Sequence, residues 1–121
     1  MKALFDSNIL IDYLNGFAEA KAELGLYSTH LISDITWIEV LAGVDEDEER
    51  RRVRGFLDLF EIAGISERVR EEAVEIRRTR RLRLPDALIW ATARSNDALL
   101  VTRNTRDFPA DDPGVREPYR I

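Results

Sequence analysis

The stretch LFDSNILIDYL, residues 4–14, decides the fold of this chain. Its apolar start predicts a buried strand that ends at Asp6, and the apolar residues beyond predict a helix that follows directly. Ser7 or Asn8 is the expected N-cap of that helix, and Gly16 is its expected C-terminal stop. Asp6 therefore lies at the carboxyl end of a strand, where open α/β sheets bind ligands. A ligand-binding acid, an N-cap and a solvated turn acid are all compatible with this stretch.

Apolar runs and helical patterns alternate along the rest of the chain. Strands are predicted within residues 29–33, 60–65 and 98–102, with a further edge strand at 116–121. Helices are predicted within residues 17–26, 34–44 and 46–60, after Ser66 and from Pro85 onward. This alternation predicts an α/β protein with a central, mostly parallel sheet of four or five strands and helices on both faces. We expect a single domain spanning residues 1–121.

The composition excludes several kinds of chemistry. The 121 residues include no cysteine, which excludes disulfides, thiolate zinc sites and cysteine nucleophiles. His30 is the only histidine, so a metal would have to be a hard cation held by oxygen. No basic and apolar leader opens the sequence, and no apolar run is long enough to cross a membrane. We therefore expect a cytoplasmic protein.

Charge is distributed unevenly. Arginine and lysine number 18 against 23 acids, and the net charge of −5 argues against a general nucleic-acid coat protein. Residues 45–49 read DEDEE, whereas residues 77–83 read RRTRRLR. The arginine run is either a solvated helix end or a contact for RNA phosphates. Asp12 and Asp58 face away from the apolar stripes of their predicted helices, so we expect both to be surface acids.

Polar residues stand at the junctions of several apolar elements. Asp6 ends the first strand, Glu39 lies early in the third helix, Asp86 lies in the first turn of the last helix, and Asn104 and Asp107 follow the last clear strand. In an open α/β sheet these junctions can converge on one rim. Clustered carboxylates repel one another, and a divalent cation such as Mg²⁺ or Mn²⁺ relieves that repulsion. Such a site can activate a water and offset charge on a phosphoryl oxygen.

Each of these residues also has a purely structural interpretation. Thr36 and Glu39 match a capping box, in which Glu39 only satisfies backbone amides. Asp86 can simply complement the dipole of its helix. Asn104 and Asp107 are common turn residues. Their joint placement, more than any single residue, indicates a site.

Four blocks together resemble the PIN-domain ribonucleases, and in particular the VapC-type toxins of bacterial toxin–antitoxin pairs. The blocks are DSNILIDYL (6–14), WIEV (37–40), LPDALI (84–89) and VTRNTRDF (101–108), in that order, and the likeness extends to the ending PGVREPYRI. The resemblance implies a three-layer α/β/α PIN-like domain. It also implies an endoribonuclease that depends on Mg²⁺ or Mn²⁺ and uses an acidic metal site.

The resemblance assigns roles to individual residues. Asp6, Glu39 and Asp86 match the first three acids of the family's metal site. Many relatives have aspartate where this chain has Asn104, a departure that puts a second tightly held metal in doubt. Asp107 is the nearest carboxylate that could compensate. We expect Asp6 and Asp86 to bind the metal directly, and Glu39 to bind it through water or to orient the attacking water.

Further expectations concern supporting groups, partners and alternatives. Ser7 and Thr102 match hydroxyls of the family's site. The family implies a cognate VapB-type antitoxin, a tRNA or other structured RNA as substrate, and a homodimer. The alternative that Asn104 keeps open is a catalytically inactive PIN-like RNA- or protein-binding module. A phosphoacceptor domain is disfavoured, because no lysine follows Lys21 and because Asn8 stands where aspartyl phosphatases need a second aspartate.

Overall fold

The computed structural model describes residues 1–121 and contains five strands and six helices. The strands are β1 (Lys2–Phe5), β2 (Thr29–Ser33), β3 (Glu61–Ala63), β4 (Leu99–Val101) and β5 (Val115–Arg116). The helices are α1 (Ser7–Leu14), α2 (Ala18–Leu24), α3 (Asp34–Ala42), α4 (Asp47–Leu57), α5 (Glu67–Thr79) and α6 (Leu84–Ser95). The last strand is shorter and begins earlier than the predicted edge strand, because only Val115 and Arg116 pair with β4.

The five strands form one parallel sheet in the order β3-β2-β1-β4-β5. The central strand β1 pairs with β2 on one side and with β4 on the other. The chain therefore adds β2 and β3 on one side of β1, and then crosses over to add β4 and β5 on the other side. The gap between the carboxyl ends of β1 and β4 is the place where this strand order reverses, which is the usual ligand crevice of such sheets.

Each face of the sheet carries its own hydrophobic core, which explains the three layers. Leu4, Leu31 and Leu100 point to one face and pack against α5 and α6. Phe5 and Ile32 point to the other face and pack with residues of α1, α3 and α4. Neighbouring strand residues thus alternate between two buried faces, as expected for a parallel sheet covered on both sides. The predicted α/β/α architecture is confirmed.

Two helix starts differ from the predictions. Asp6 itself is the N-cap of α1, and its side chain accepts a hydrogen bond from the Ser7 N–H. The prediction that Ser7 or Asn8 fills this position was wrong, because β1 ends one residue earlier than a serine cap requires. Ser33 caps α3 and accepts from the Thr36 N–H, so the capping box proposed for Thr36 does not form.

The stop predicted at Gly16 is present. Gly16 follows the C-cap of α1 and adopts a φ of 86°, a left-handed conformation that glycine reaches without strain. None of the six helices combines the length and the apolar character that crossing a membrane would need.

Candidate active site

The centre of the candidate site is Asp6, at the point where the strand order reverses. Its backbone N–H continues the sheet by donating to the carbonyl of Val101 (3.0 Å). Its Oδ2 accepts from the hydroxyl of Thr102, the first residue after β4, at 2.8 Å. The two carboxyl ends of the central strands are thereby tied together by their side chains. Asp6 is 5% exposed and Thr102 is fully buried.

Asn8 completes the hydrogen bonding around Asp6. Its Nδ2 donates to Asp6 Oδ2 (3.2 Å) and lies 3.3 Å from Thr102 Oγ1, while its Oδ1 accepts from the Arg103 N–H (3.1 Å). From the sequence, Asn8 is a candidate helix cap and a residue that disfavours a phosphoacceptor domain; its role beside Asp6 was not predicted. The sequence signal that could have indicated this role is the position of Asn8: a polar residue in the first turn of a helix, two positions after the acid that ends the preceding strand.

Burial raises the pKa of Asp6 above its ordinary value of 3.8. Hydrogen bonds from Thr102, Ser7 and Asn8 favour the charged form and offset part of that increase, whereas the neighbouring Asp86 carboxylate adds to it. A carboxylate has about four acceptor positions, and three donors approach Asp6. About one position therefore stays open for a cation.

Asp6 and Asp86 lie close enough to Glu39 for their charges to act on its carboxylate. The pKa of Glu39 is raised above 4.5, first by burial of part of the side chain and then by the Asp6 and Asp86 carboxylates. Ser7 and Arg83 each lower this pKa to a smaller extent. Glu39 is an exposed residue of α3, whereas Asp86, in the first turn of α6, is buried. The fold thus brings together three acids from three segments of the chain, and we call these residues the acid centre.

Arg83 is the cation beside the acid centre. Its Nε and Nη2 lie 3.3 and 3.2 Å from the same oxygen of Asp86, Oδ2. The Arg83 side chain is 79% exposed, whereas that of Asp86 is 10% exposed. Arg83 is also the N-cap residue of α6 but makes no side-chain capping bond there. From the sequence, Arg83 is only one member of the arginine run, and its contact with Asp86 was not predicted.

Asn104 and Asp107 form a separate pair in the loop after β4. The Asn104 Nδ2 donates to Asp107 Oδ2 (3.0 Å), and the Asp107 N–H returns a longer bond to Asn104 Oδ1 (3.4 Å). The Asn104 N–H donates to Thr102 Oγ1 at 3.0 Å. Neither side chain hydrogen-bonds to Asp6, Glu39 or Asp86. The structure connects this pair to the acid centre only through the Thr102 hydroxyl.

Asp12 is buried, which corrects the expectation that it is a surface acid. Arg103 donates to both of its oxygens, from Nε (2.6 Å) and Nη2 (3.0 Å), and the Tyr119 hydroxyl donates to Oδ2 (2.8 Å). The helical pattern placed Asp12 opposite the apolar stripe, but that side of α1 is covered by the loop after β4 and by the C-terminal residues. Asp58 is exposed, as expected.

The donor chemistry of the acid centre fits a hard divalent cation. All of its donors are carboxylate oxygens, which Mg²⁺ and Mn²⁺ prefer. Asp86 accepts a single side-chain hydrogen bond, from Arg83 to Oδ2, so Oδ1 is available. The three acids nevertheless do not form a closed set of ligands, since no group of three or more acidic or histidine side chains is arranged to hold a metal ion.

Comparisons with known proteins identify the family and the fold of this chain. A family model described as "PIN domain" matches residues 3–110. The structure is similar to a chain of a toxin–antitoxin complex from Klebsiella pneumoniae, with 45% identity, a TM-score of 0.91, and coverage of 99% of this chain and 100% of that one. No curated protein sequence matches.

Two more distant structures share the fold. A chain of VapBC2 from Rickettsia felis, crystallised with a promoter DNA fragment, is 24% identical, with a TM-score of 0.82 and 96% of each chain covered. A chain of the FitAcB structure from Neisseria gonorrhoeae is 23% identical, with a TM-score of 0.79, 98% of this chain and 99% of that one covered.

Proposed function

The chain belongs to the PIN domain family, and from this premise we propose that it is the toxin of a type II toxin–antitoxin pair and acts as a metal-dependent endoribonuclease. The observation that carries the proposal is the acid centre: Asp6, Glu39 and Asp86 come from distant segments, and the charges of Asp6 and Asp86 both act on Glu39 at the carboxyl end of the sheet. A fold that only needed stability would not gather three anions there, because neighbouring carboxylates repel one another.

We assign a role to each acid. Asp6 and Asp86 are the buried ligands that would hold Mg²⁺ or Mn²⁺. When bound, such an ion lowers the pKa of a coordinated water and offsets charge on a phosphoryl oxygen. Glu39 is the exposed member, and its raised pKa suits a group that orients the attacking water and accepts its proton on a carboxylate oxygen. In-line attack of this water on phosphorus then breaks the P–O3′ bond; the departing 3′-oxygen takes a proton from solvent, which leaves a 5′-phosphate and a 3′-hydroxyl.

The neighbouring groups support this centre without touching the substrate. Thr102 donates to Asp6 and holds the carboxylate in a fixed orientation. Ser7 fixes the other Asp6 oxygen through its backbone N–H. Asn104 and Asp107 keep the loop after β4 in place beneath Thr102. We therefore assign Asn104 and Asp107 a positioning role rather than metal ligation.

The partners follow from the same proposal. The Klebsiella pneumoniae relative was solved as a toxin–antitoxin complex, which supports a cognate VapB-type antitoxin for this chain. We further propose a tRNA or other structured RNA as the substrate, a homodimer as the assembled form, and a cytoplasmic location.

A cleavage assay tests the activity. Purified protein is incubated with RNA in Mn²⁺ and in EDTA, beside the variants Asp6→Asn and Asp58→Asn. Asp58 is the matched control, because it is an exposed acid at the C-cap of α4. We expect cleavage only with Mn²⁺, unchanged by Asp58→Asn and lost with Asp6→Asn. Equal degradation in all samples would indicate a contaminating nuclease.

The second candidate is the inactive RNA- or protein-binding module. The Arg83–Asp86 contact and the absence of an acid at Asn104 favour it. Binding of RNA or antitoxin with no Mn²⁺-dependent cleavage, at any of several metal concentrations, would select this candidate over the nuclease.

A further inference from the structure

The contact between Arg83 and Asp86 is the one ion pair inside the acid centre. Two guanidinium nitrogens converge on a single oxygen, Asp86 Oδ2, at 3.2 and 3.3 Å. The guanidinium fork therefore does not engage both carboxylate oxygens, as it does where arginine binds most tightly. The charge of Arg83 also acts on Glu39. This one cation thus partly neutralises two of the three acids.

Arg83 differs from the arginines that hold the fold together. Arg103 and Arg116 each engage both oxygens of a buried acid, and their side chains are 29% and 43% exposed. Arg83 is 79% exposed and engages one oxygen. An ion pair that depends on so exposed a side chain contributes little to stability. The Arg83 contact is therefore easily broken.

A divalent cation and Arg83 compete for the same negative charge. A cation held by Asp6 and Asp86 would neutralise the carboxylate that Arg83 binds and would repel the guanidinium at close range. The released side chain would remain anchored at the first turn of α6, at the edge of the acid centre. It carries five N–H donors in a plane that matches two phosphate oxygens.

We propose that Arg83 is a substrate-positioning residue that binds Asp86 while the acid centre is free of metal and binds a phosphate of RNA once a divalent cation is held there. The inference rests on the proposed nuclease function, and it assigns to that function a residue that links metal loading to RNA binding.

The arginine run itself provides a control. Arg80 is held over the face of Trp90, at 4.7 Å from the ring centroid. Arg81 is exposed and takes part in no ion pair, side-chain hydrogen bond or ring contact. Arg81 lies two residues from Arg83 and carries the same charge, but it does not contact the acid centre. The substitution Arg81→Gln therefore reproduces the change in net charge without the specific contact.

The test measures RNA binding by fluorescence anisotropy with a labelled single-stranded RNA, in Ca²⁺ and in EDTA. Ca²⁺ is used because it binds carboxylate oxygens with a flexible coordination geometry. A denaturing gel verifies that the RNA stays intact during the measurement. With Ca²⁺ we expect Arg83→Gln to weaken binding about tenfold, a typical size for a charged phosphate contact. Arg83→Lys is expected to restore part of the loss. In EDTA wild type and Arg83→Gln should agree within about twofold, and Arg81→Gln should have a small effect in both conditions.

A second measurement uses the metal alone. Calorimetric titration of Mn²⁺ without RNA should give a higher affinity for Arg83→Gln than for wild type, because a competitor has been removed, and no increase for Arg81→Gln. An equal loss of RNA binding in Ca²⁺ and in EDTA would overturn the inference. So would no loss in Ca²⁺, a matching loss in Arg81→Gln, or an unchanged Mn²⁺ affinity.

These readouts are independent of turnover. A wild-type protein that binds RNA in this metal-dependent way but never cleaves it would refute the proposed nuclease function and leave the role of Arg83 standing. A wild-type protein that cleaves RNA while Arg83→Gln binds it equally well would refute the role of Arg83 alone.

Discussion

The substitution Asp12→Ala tests how the site is held in place. Asp12 accepts two hydrogen bonds from Arg103 and one from Tyr119. Its side chain is 7% exposed and that of Arg103 is 29% exposed. Truncation would leave the guanidinium half-buried without its partner. The Arg103 N–H also binds Asn8, so the effect reaches the residues around Asp6.

The expected magnitude follows from this burial. Breaking a fully buried ion pair costs about 3–5 kcal/mol. Because Arg103 can reach solvent, we expect about 2–3 kcal/mol for Asp12→Ala. With an unfolding entropy of about 2.1 cal/mol/K per residue, the chain of 121 residues should lose about 10 °C in Tm.

Chemical and thermal denaturation in EDTA measure this loss. Asp58→Ala is the matched control, because sequence patterns class both acids as surface residues and only Asp12 is buried. A cycle with Arg103→Ala and the double variant gives the coupling energy, which we expect to exceed about 1 kcal/mol. A loss below about 1 kcal/mol, or an equal loss in Asp58→Ala, would refute this reasoning.

Three further predictions concern the acid centre. Asp86→Asn should abolish Mn²⁺-dependent RNA cleavage while far-UV circular dichroism stays unchanged; retained cleavage would exclude Asp86 as a ligand. Thr102→Val should lower stability by about 1–3 kcal/mol in urea titrations, because the buried Asp6 carboxylate loses a donor, whereas Thr102→Ser should recover most of it. The raised pKa of Glu39 means that the folded state binds the Glu39 proton more tightly than the unfolded state does. Protonated Glu39 therefore adds to the free energy of unfolding below pH 4.5, and this contribution is lost as pH rises through the pKa of the folded state. In EDTA at pH 7, Glu39→Gln should therefore have a higher Tm than wild type, and this difference in Tm should vanish in acid. A lower Tm for Glu39→Gln at pH 7 would contradict this prediction.

The architecture could be predicted from sequence because its signals are local. Continuous apolar runs indicate buried parallel strands, and Gly16 and Ser66 mark the end of one helix and the start of another. The N-cap of α1 was assigned to the wrong residue, because Asp6, Ser7 and Asn8 are all good caps and only the exact end of the strand selects among them.

The site could be predicted in part. Acids at the junctions between strands and helices were expected to converge on one rim of the sheet, and the charges of Asp6 and Asp86 do act on Glu39. The partners of buried charges could not be predicted, since Asp12 and Arg103 are 91 residues apart and no periodicity connects them. The contact of Arg83 with Asp86 spans three residues and was open to prediction, but an arginine run is most often solvated.

The two buried carboxylates of the first helices depend on cations that are encoded late in the chain. Glu23, in α2, is matched by Arg116, and Asp12, in α1, shares the hydroxyl of Tyr119. All three acids of the acid centre precede residue 90. A truncation before Arg116 would thus keep every proposed metal ligand but strand one buried anion and weaken the neutralisation of another. The C-terminal segment therefore holds α1 and α2 in place, and limited proteolysis within it should inactivate the protein although every proposed metal ligand remains.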